Sequence, residues 1–507
     1  MALLAWSSLF CLLPSLFVFL LCLVLRWSRS RCWIRLAVRA AEARFICKPT
    51  ALANYLLQHC GSLAKPRLAR WPRGDPHVQT LCSLLWGQYG DTIQFSRDNL
   101  LLRDEGIVAL DWAVGTGLDE AVRRKRRDDQ SGGKALGCFT STPPILLLIP
   151  QCWGGMTAHL KALCHRAMCD GFYVVVFHPR GTAGCPLTTT RLTEFGDPAD
   201  LEQAVAYIHS RHPSSALVAV SEGSGSGILL SYLGEHGSST YLTAAAAISP
   251  VLQGQQWFEA AMSPIYRWWA LFHRKLQLRR YAKSLRAVLD VDQALSSSSL
   301  RDFEEALFCS SARSGPHSQQ GLAPSVAWAL SERAAPAKDW DSYWERNEPL
   351  RDADEVALPV LCICSRDDPL LQPSSGLPTS LFQSNPYFFL VLTDKGGHCG
   401  FTLEGREQME GEGTEEEEEE EEERCWSHIV VLEYFRVVAD FLKVDGGSWS
   451  GSAGEYNQTG LRNRTSNMAP LRRKRATTMK RLRQQIPEKR SLNEEEENFI
   501  WKRSYTR

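Results

Sequence analysis

Net charge is missing from this chain: its 507 residues hold 57 Lys and Arg against 57 Asp and Glu. It therefore lacks the global basic excess of a nucleic-acid binder. No C-x-x-C pair occurs among its 16 cysteines, so neither a paired-cysteine zinc finger nor a thioredoxin-type dithiol is indicated. No internal repeat occurs. With 44% hydrophobic and 22% charged residues, the balance is that of a globular protein, not of a collagenous, coiled-coil or wholly disordered one. Cys362 and Cys364 stand inside the apolar run VLCICS, where reduced thiols behave as small hydrophobes, and such usage favours a reducing compartment.

Charge is also missing locally. Nothing charged precedes Arg26, and residues Ala2 to Leu25 are almost wholly apolar, enough to cross a bilayer as a helix. Arg26, Arg29, Arg31, Arg35 and Arg39 follow, and the positive-inside rule assigns them to the cytosol. Residues 1–30 thus read as an uncleaved single-pass anchor, with a cleaved secretory signal as the alternative. The first reading leaves the rest of the chain cytosolic at a membrane of the endoplasmic reticulum type; the second makes it secreted.

What is present is a series of short apolar runs: IVALDWAV (107–114), ILLLIP (145–150), YVVVFH (173–178), ALVAVS (216–221), AAAAIS (244–249), VLCICS (360–365) and FFLVLT (388–393). Such runs are buried parallel strands, and one helical interval between most of them makes an α/β fold with a mostly parallel sheet. Residues 36–95 read as helices and loops. One interval is too long for a single helix: about 251–355 reads as a helical cap, with Trp257, Tyr266, Trp268, Trp269, Phe272 and Tyr281 packing its interior or lining an apolar pocket. Nine consecutive glutamates, Glu415–Glu423, mark a solvated acidic insert at about 407–424. Residues 444–507 read as a disordered basic tail, where Arg473-Lys474-Arg475-Ala476-Thr477-Thr478 makes Thr478 a candidate phosphorylation site. Two glycosylation sequons, at Asn457 and Asn463, require the opposite, luminal topology.

Ligands of a parallel sheet bind at the carboxyl ends of its strands. ALVAVS runs into Glu222-Gly223-Ser224-Gly225 and then a helix, the sequence form of a nucleophile elbow, and Ser221 is the candidate nucleophile. VLCICS is followed by Asp368 and FFLVLT by His398. The order Ser, Asp, His is that of an α/β-hydrolase triad, with His398 as base and Asp368 holding its tautomer. Cys152, after the strand ending at Pro150, and Glu222, after Ser221, are the candidate oxyanion N–H donors. Ala219 stands two residues before Ser221, where the usual elbow has glycine. An ungapped count back from SYLG (231–234) puts Gly223 at the nucleophile position instead. His165 and Asp170, spaced H-x-x-x-x-D, do not share a helix face. No metal or nucleotide cofactor is expected.

With LLQHC (56–60), Gln79-Thr80, LDW (110–112), VVVFHPRGTAG (174–184), SEGSGSGILLSYLG (221–234), RDDPL (366–370) and GGHCGF (396–401), the chain over roughly 45–443 resembles the AB hydrolase 4 family of membrane-anchored lipases and esterases. The resemblance implies an α/β-hydrolase fold and hydrolysis of a lipid or small acyl ester at a membrane through a Ser-Asp-His triad. Arg180-Gly181, a hallmark of the family, reads as structural. The rival expectation is a catalytically weak hydrolase fold that regulates a protein partner in lipid metabolism.

Overall fold

The computed structural model describes residues 43–447 apart from 64–65, 67, 70–73, 86–92, 116–141, 153–154, 311–332, 334, 372–375 and 405–424. The N-terminal segment 1–30, the acidic insert at 407–424 and Thr478 with its basic tail lie outside the described residues. No helix of the described residues is long and apolar enough to cross a membrane.

Among the described residues nine strands form one sheet: β1 (Ala43–Ile46), β2 (Ile93–Leu101), β3 (Ile107–Gly115), β4 (Ile145–Ile149), β5 (Tyr173–His178), β6 (Leu217–Glu222), β7 (Leu242–Ile248), β8 (Val360–Ser365) and β9 (Phe388–Thr393). Their spatial order is β1-β9-β8-β7-β6-β4-β5-β3-β2. The run from β5 through β4, β6, β7 and β8 to β9 is parallel. These strands are buried on both faces, as continuous Val/Ile/Leu runs require. The edges are antiparallel: β1 pairs β9, and β3 pairs both β2 and β5. The strands β1 and β2 were not legible in the segment read as helices and loops. β2 (IQFSRDNLL) is half exposed and polar, an outer strand whose alternation is broken by charge.

Helices cover both faces: α1 (Ala51–His59), α2 (Pro76–Leu85), α3 (Ala158–Cys169), α4 (Ala199–Arg211), α5 (Ser226–His236), α6 (Pro264–Leu285), α7 (Leu300–Phe308), α8 (Trp340–Asn347) and α9 (Trp426–Gly447). One layer joins Leu160, Leu163, Val218, Val220, Val430 and Val431, so that α1, α3 and α9 lie on the Val218/Val220 face. The opposite layer joins Leu201, Val205, Ala219, Leu229 and Leu233, which places α4 and α5 on the Ala219 face. Along β6, side chains alternate between these layers. That period decides where Ser221 and Glu222 point.

The long interval between β7 and β8 carries α6, α7 and α8 and has its own core of Trp257, Phe258, Phe303, Trp340, Tyr343 and Trp344. The aromatics of the cap divide. Trp257 is buried, whereas Trp268 is 61% exposed, Trp269 53% and Phe272 46%. The expectation that these three pack the cap's interior or line an apolar pocket is therefore corrected: with Ile265 they form a solvent-facing stripe on α6.

Arg180 is buried and bonded to Asp200, Asp104 and Thr189. It ties the β5 loop to the N-terminus of α4, which is a structural role.

Candidate active site

The chain turns sharply from β6 into α5 through Gly223–Gly225. At the tip of that turn Gly223 has φ +51°, the left-handed backbone a nucleophile elbow demands and glycine adopts without strain. A Cβ on Gly223 would lie 2.7 Å from His398 Nε2. The imidazole thus faces the elbow tip directly and occupies the space a side chain there would need.

His398 sits on the loop after β9, and Asp368 follows β8. Asp368 Oδ2 lies 2.9 Å from His398 Nδ1, while its Oδ1 accepts from Leu370 N. Burial alone would lower the His398 pKa, but Asp368 and Cys399 reverse this and hold it well above the usual imidazole range. The loop is pinned from α2: His398 N donates to Thr80 Oγ1 and Ser83 Oγ donates to His398 O. Asp367, the neighbouring carboxylate, accepts from Gly397 N and so shapes the loop instead of reaching the ring.

Ser221 is elsewhere. It lies within β6, pairs with Ile149 and Ala247, is fully buried, and its Oγ finds no hydrogen-bond partner. The expected Ser221 elbow is corrected to Gly223, the position reached by the ungapped count. The physical reason is the two-residue period: a serine still inside the strand points into the α4/α5 layer, not across the tip towards histidine.

The oxyanion expectation moves by the same two residues. Glu222 is in β6, and its side chain points into the layer of α3 and α9. There it accepts from Thr157 Oγ1 at 3.0 Å and stands 3.3 Å from His159 Nδ1. The residue after the elbow tip is Ser224, and the Cys152 N–H donates to the Ser224 hydroxyl at 3.0 Å. The N–H expected to face a developing oxyanion is thus already bonded to a side chain of the elbow itself.

Above this turn, under the cap, is a cavity of about 80 Å³ reached by Cys152, Phe258, Arg274, Tyr281, Phe303 and Glu304. Arg274 is paired with Glu304, which also accepts from Tyr343 OH. Two buried amides, Gln79 and Gln151, make no hydrogen bond, and Gln151 Cδ lies 3.4 Å from where the Gly223 Cβ would be.

The chain is 43% identical to human Protein ABHD15 over 91% of its own length and 85% of that protein's. It belongs to the AB hydrolase 4 family. Murine phospholipase ABHD3 is 26% identical, over 76% of this chain and 85% of that protein. The Pyrococcus furiosus esterase Pf2001 matches 70% of this chain and 89% of its own, at 11% identity and TM-score 0.34. No family model matches the chain. The order of the sheet and the turn after β6 carry the fold assignment independently. By its relatives this member of the AB hydrolase 4 family is an α/β-hydrolase of the lipase and esterase type, with glycine at the tip of its elbow.

Proposed function

We propose that this protein is a nucleophile-less member of its family that holds a lipid or acyl-ester ligand at a membrane surface and regulates a protein partner in lipid metabolism without turning the ester over. The single observation that carries this reading is Gly223. With no Oγ at the elbow tip there is no atom for His398 to deprotonate, and the imidazole itself fills the site. Removing the nucleophile of a serine-protease triad costs about 10⁶ in kcat. The Ser224 hydroxyl on Cys152 N–H adds to that loss, since one missing oxyanion donor costs about 10²–10³. His398 and Asp368, retained as a bonded pair, then keep the loop between β9 and α9 in place instead of activating a nucleophile. Sequence relatives with phospholipase and esterase names support the choice of a lipid or acyl ester as ligand.

The test is a fluorophosphonate probe applied to the folded full-length chain beside a short-chain ester assay. No labelling, and hydrolysis equal to that of Gly223→Ala, is the expected result. Labelling that disappears in Ser221→Ala or Ser224→Ala would overturn the reading and restore a serine hydrolase.

A further inference from the structure

We propose that His159, Cys425 and His428 form a zinc site beneath the elbow, on the face of the sheet opposite Ser221. The donor atoms of these three side chains all lie within 4.8 Å of one another. His159 comes from the first turn of α3, while Cys425 and His428 flank the first turn of α9. Spaced C-x-x-H, those two point the same way because positions three apart share a helix face. Zn–S of about 2.3 Å and Zn–N of about 2.0–2.1 Å put tetrahedral ligand atoms ~3.5 Å apart. Side-chain shifts of about an ångström therefore bring all three onto one ion.

Two observations point to a ligand. His159 and His428 are 5% and 4% exposed and their rings lie 4.3 Å apart; the His159 ring stands between Glu222 and Cys425, while Nε2 of the buried His428 has no hydrogen-bond partner. Leaving that nitrogen buried and unsatisfied costs about 1–3 kcal/mol. In addition, Glu222 is 1% exposed, and its neighbours Thr157 Oγ1 and His159 Nδ1, at 3.0 and 3.3 Å, bring no permanent charge to this buried carboxylate. A divalent ion accounts for both. His159 binds through its other nitrogen, and Glu222 fixes the ring from behind as a carboxylate–histidine–metal arrangement. Thr157, the N-cap of α3, holds Glu222 in turn. Ser427 Oγ, 3.1 Å from Cys425 Sγ, is placed to donate to the thiolate. On binding, the Cys425 thiol loses its proton to solvent, and the thiolate and Glu222 together balance the two positive charges of Zn²⁺. A sulfur and two imidazoles suit zinc, and the fourth position is left to a water.

The site joins three parts of the fold: the last residue of β6 before the elbow, the start of α3, and the start of α9. Its existence is independent of whether an ester is bound above.

The experiment uses the full-length chain purified without chelator. About one zinc per chain is expected by elemental analysis, with zinc-edge absorption showing a sulfur neighbour at about 2.3 Å. Replacement by Co²⁺ should produce a sulfur-to-cobalt charge-transfer band that is absent from Cys425→Ser. Glu222→Gln, which spares all three ligands, should weaken zinc about 10–100-fold in competition with a chelator. Less than a tenth of a zinc per chain after refilling, or a cobalt spectrum of the wild-type chain without the sulfur band, would overturn the proposal. Both readings use the unaltered protein, so a variant that fails to fold does not obscure them.

Discussion

At the scale of single residues, the proposed loss of catalysis rests on Gly223, Ser224 and His398. Gly223 has a left-handed φ of +51° and His398 Nε2 lies 2.7 Å from its missing Cβ. Any side chain there is strained twice, by backbone and by contact. Gly223→Ala is expected to lose about 1–3 kcal/mol of stability, measurable by urea denaturation, whereas Ser224→Ala, which removes only a hydroxyl bonded to Cys152 N–H, should cost less. The same geometry predicts what restoring chemistry requires. Gly223→Ser alone should label poorly with a fluorophosphonate, because Ser224 still occupies the first oxyanion donor. The double variant Gly223→Ser/Ser224→Ala should label measurably faster, and equal rates for the two would show that the Ser224 bond does not block the hole.

Among the elements, α6 is the least expected. Its sequence PIYRWWALFHRKLQLRRYAKSL mixes aromatics and bases, and the fold turns Ile265, Trp268, Trp269 and Phe272 outward. Trp268 and Phe272 stack on each other with ring centroids 5.7 Å apart. This exposed aromatic stripe, with Arg and Lys along the same helix, is the part of the described fold on which the proposed membrane contact would rest. Replacing Trp268, Trp269 and Phe272 together by serine should release the protein from anionic liposomes by at least tenfold, read by co-sedimentation of chains lacking residues 1–30. Undiminished co-sedimentation would remove α6 from the membrane contact. Stability should be little changed, because the buried side of α6 (Ala270, Leu271, Leu278, Ala282, Leu285) is untouched.

Across the whole molecule, ion pairs that are mostly buried knit the antiparallel end of the sheet together and, through Arg333, join it to the cap. Asp111 binds Arg97 and His178, Asp104 binds Arg180 and Arg191, and Asp197 binds Arg191 and Arg333. Burial alone would raise these three carboxyls, but their cationic partners more than reverse it and hold all three below the ordinary carboxylate range. A carboxyl whose folded pKa is depressed stabilises above the unfolded value, about 3.9, and loses that contribution as pH falls towards the folded value. The melting temperature should therefore drop steeply below about pH 4. Asp111→Asn should flatten that drop, because one of the titrating groups is gone.

Much of the fold was readable from local pattern. Seven strand runs, the β-α-β succession, the long interval of the cap and the positions of Asp368 and His398 after their strands all follow from apolar continuity and from what stands at strand ends. β1 and β2 escaped because edge strands are short or polar and carry no continuous run. The C-x-x-H of Cys425 and His428 was also there to be read, but its partner His159 is 266 residues away and no spacing connects them. Above all, the chain by itself determined that a strand would end in an elbow near residues 221–225. Only the tertiary structure decided which residue forms the tip. A strand's register is set by its neighbours: pairing with β4 and β7 keeps Ser221 and Glu222 inside the sheet. The turn then falls at Gly223, against a histidine delivered from 175 residues away.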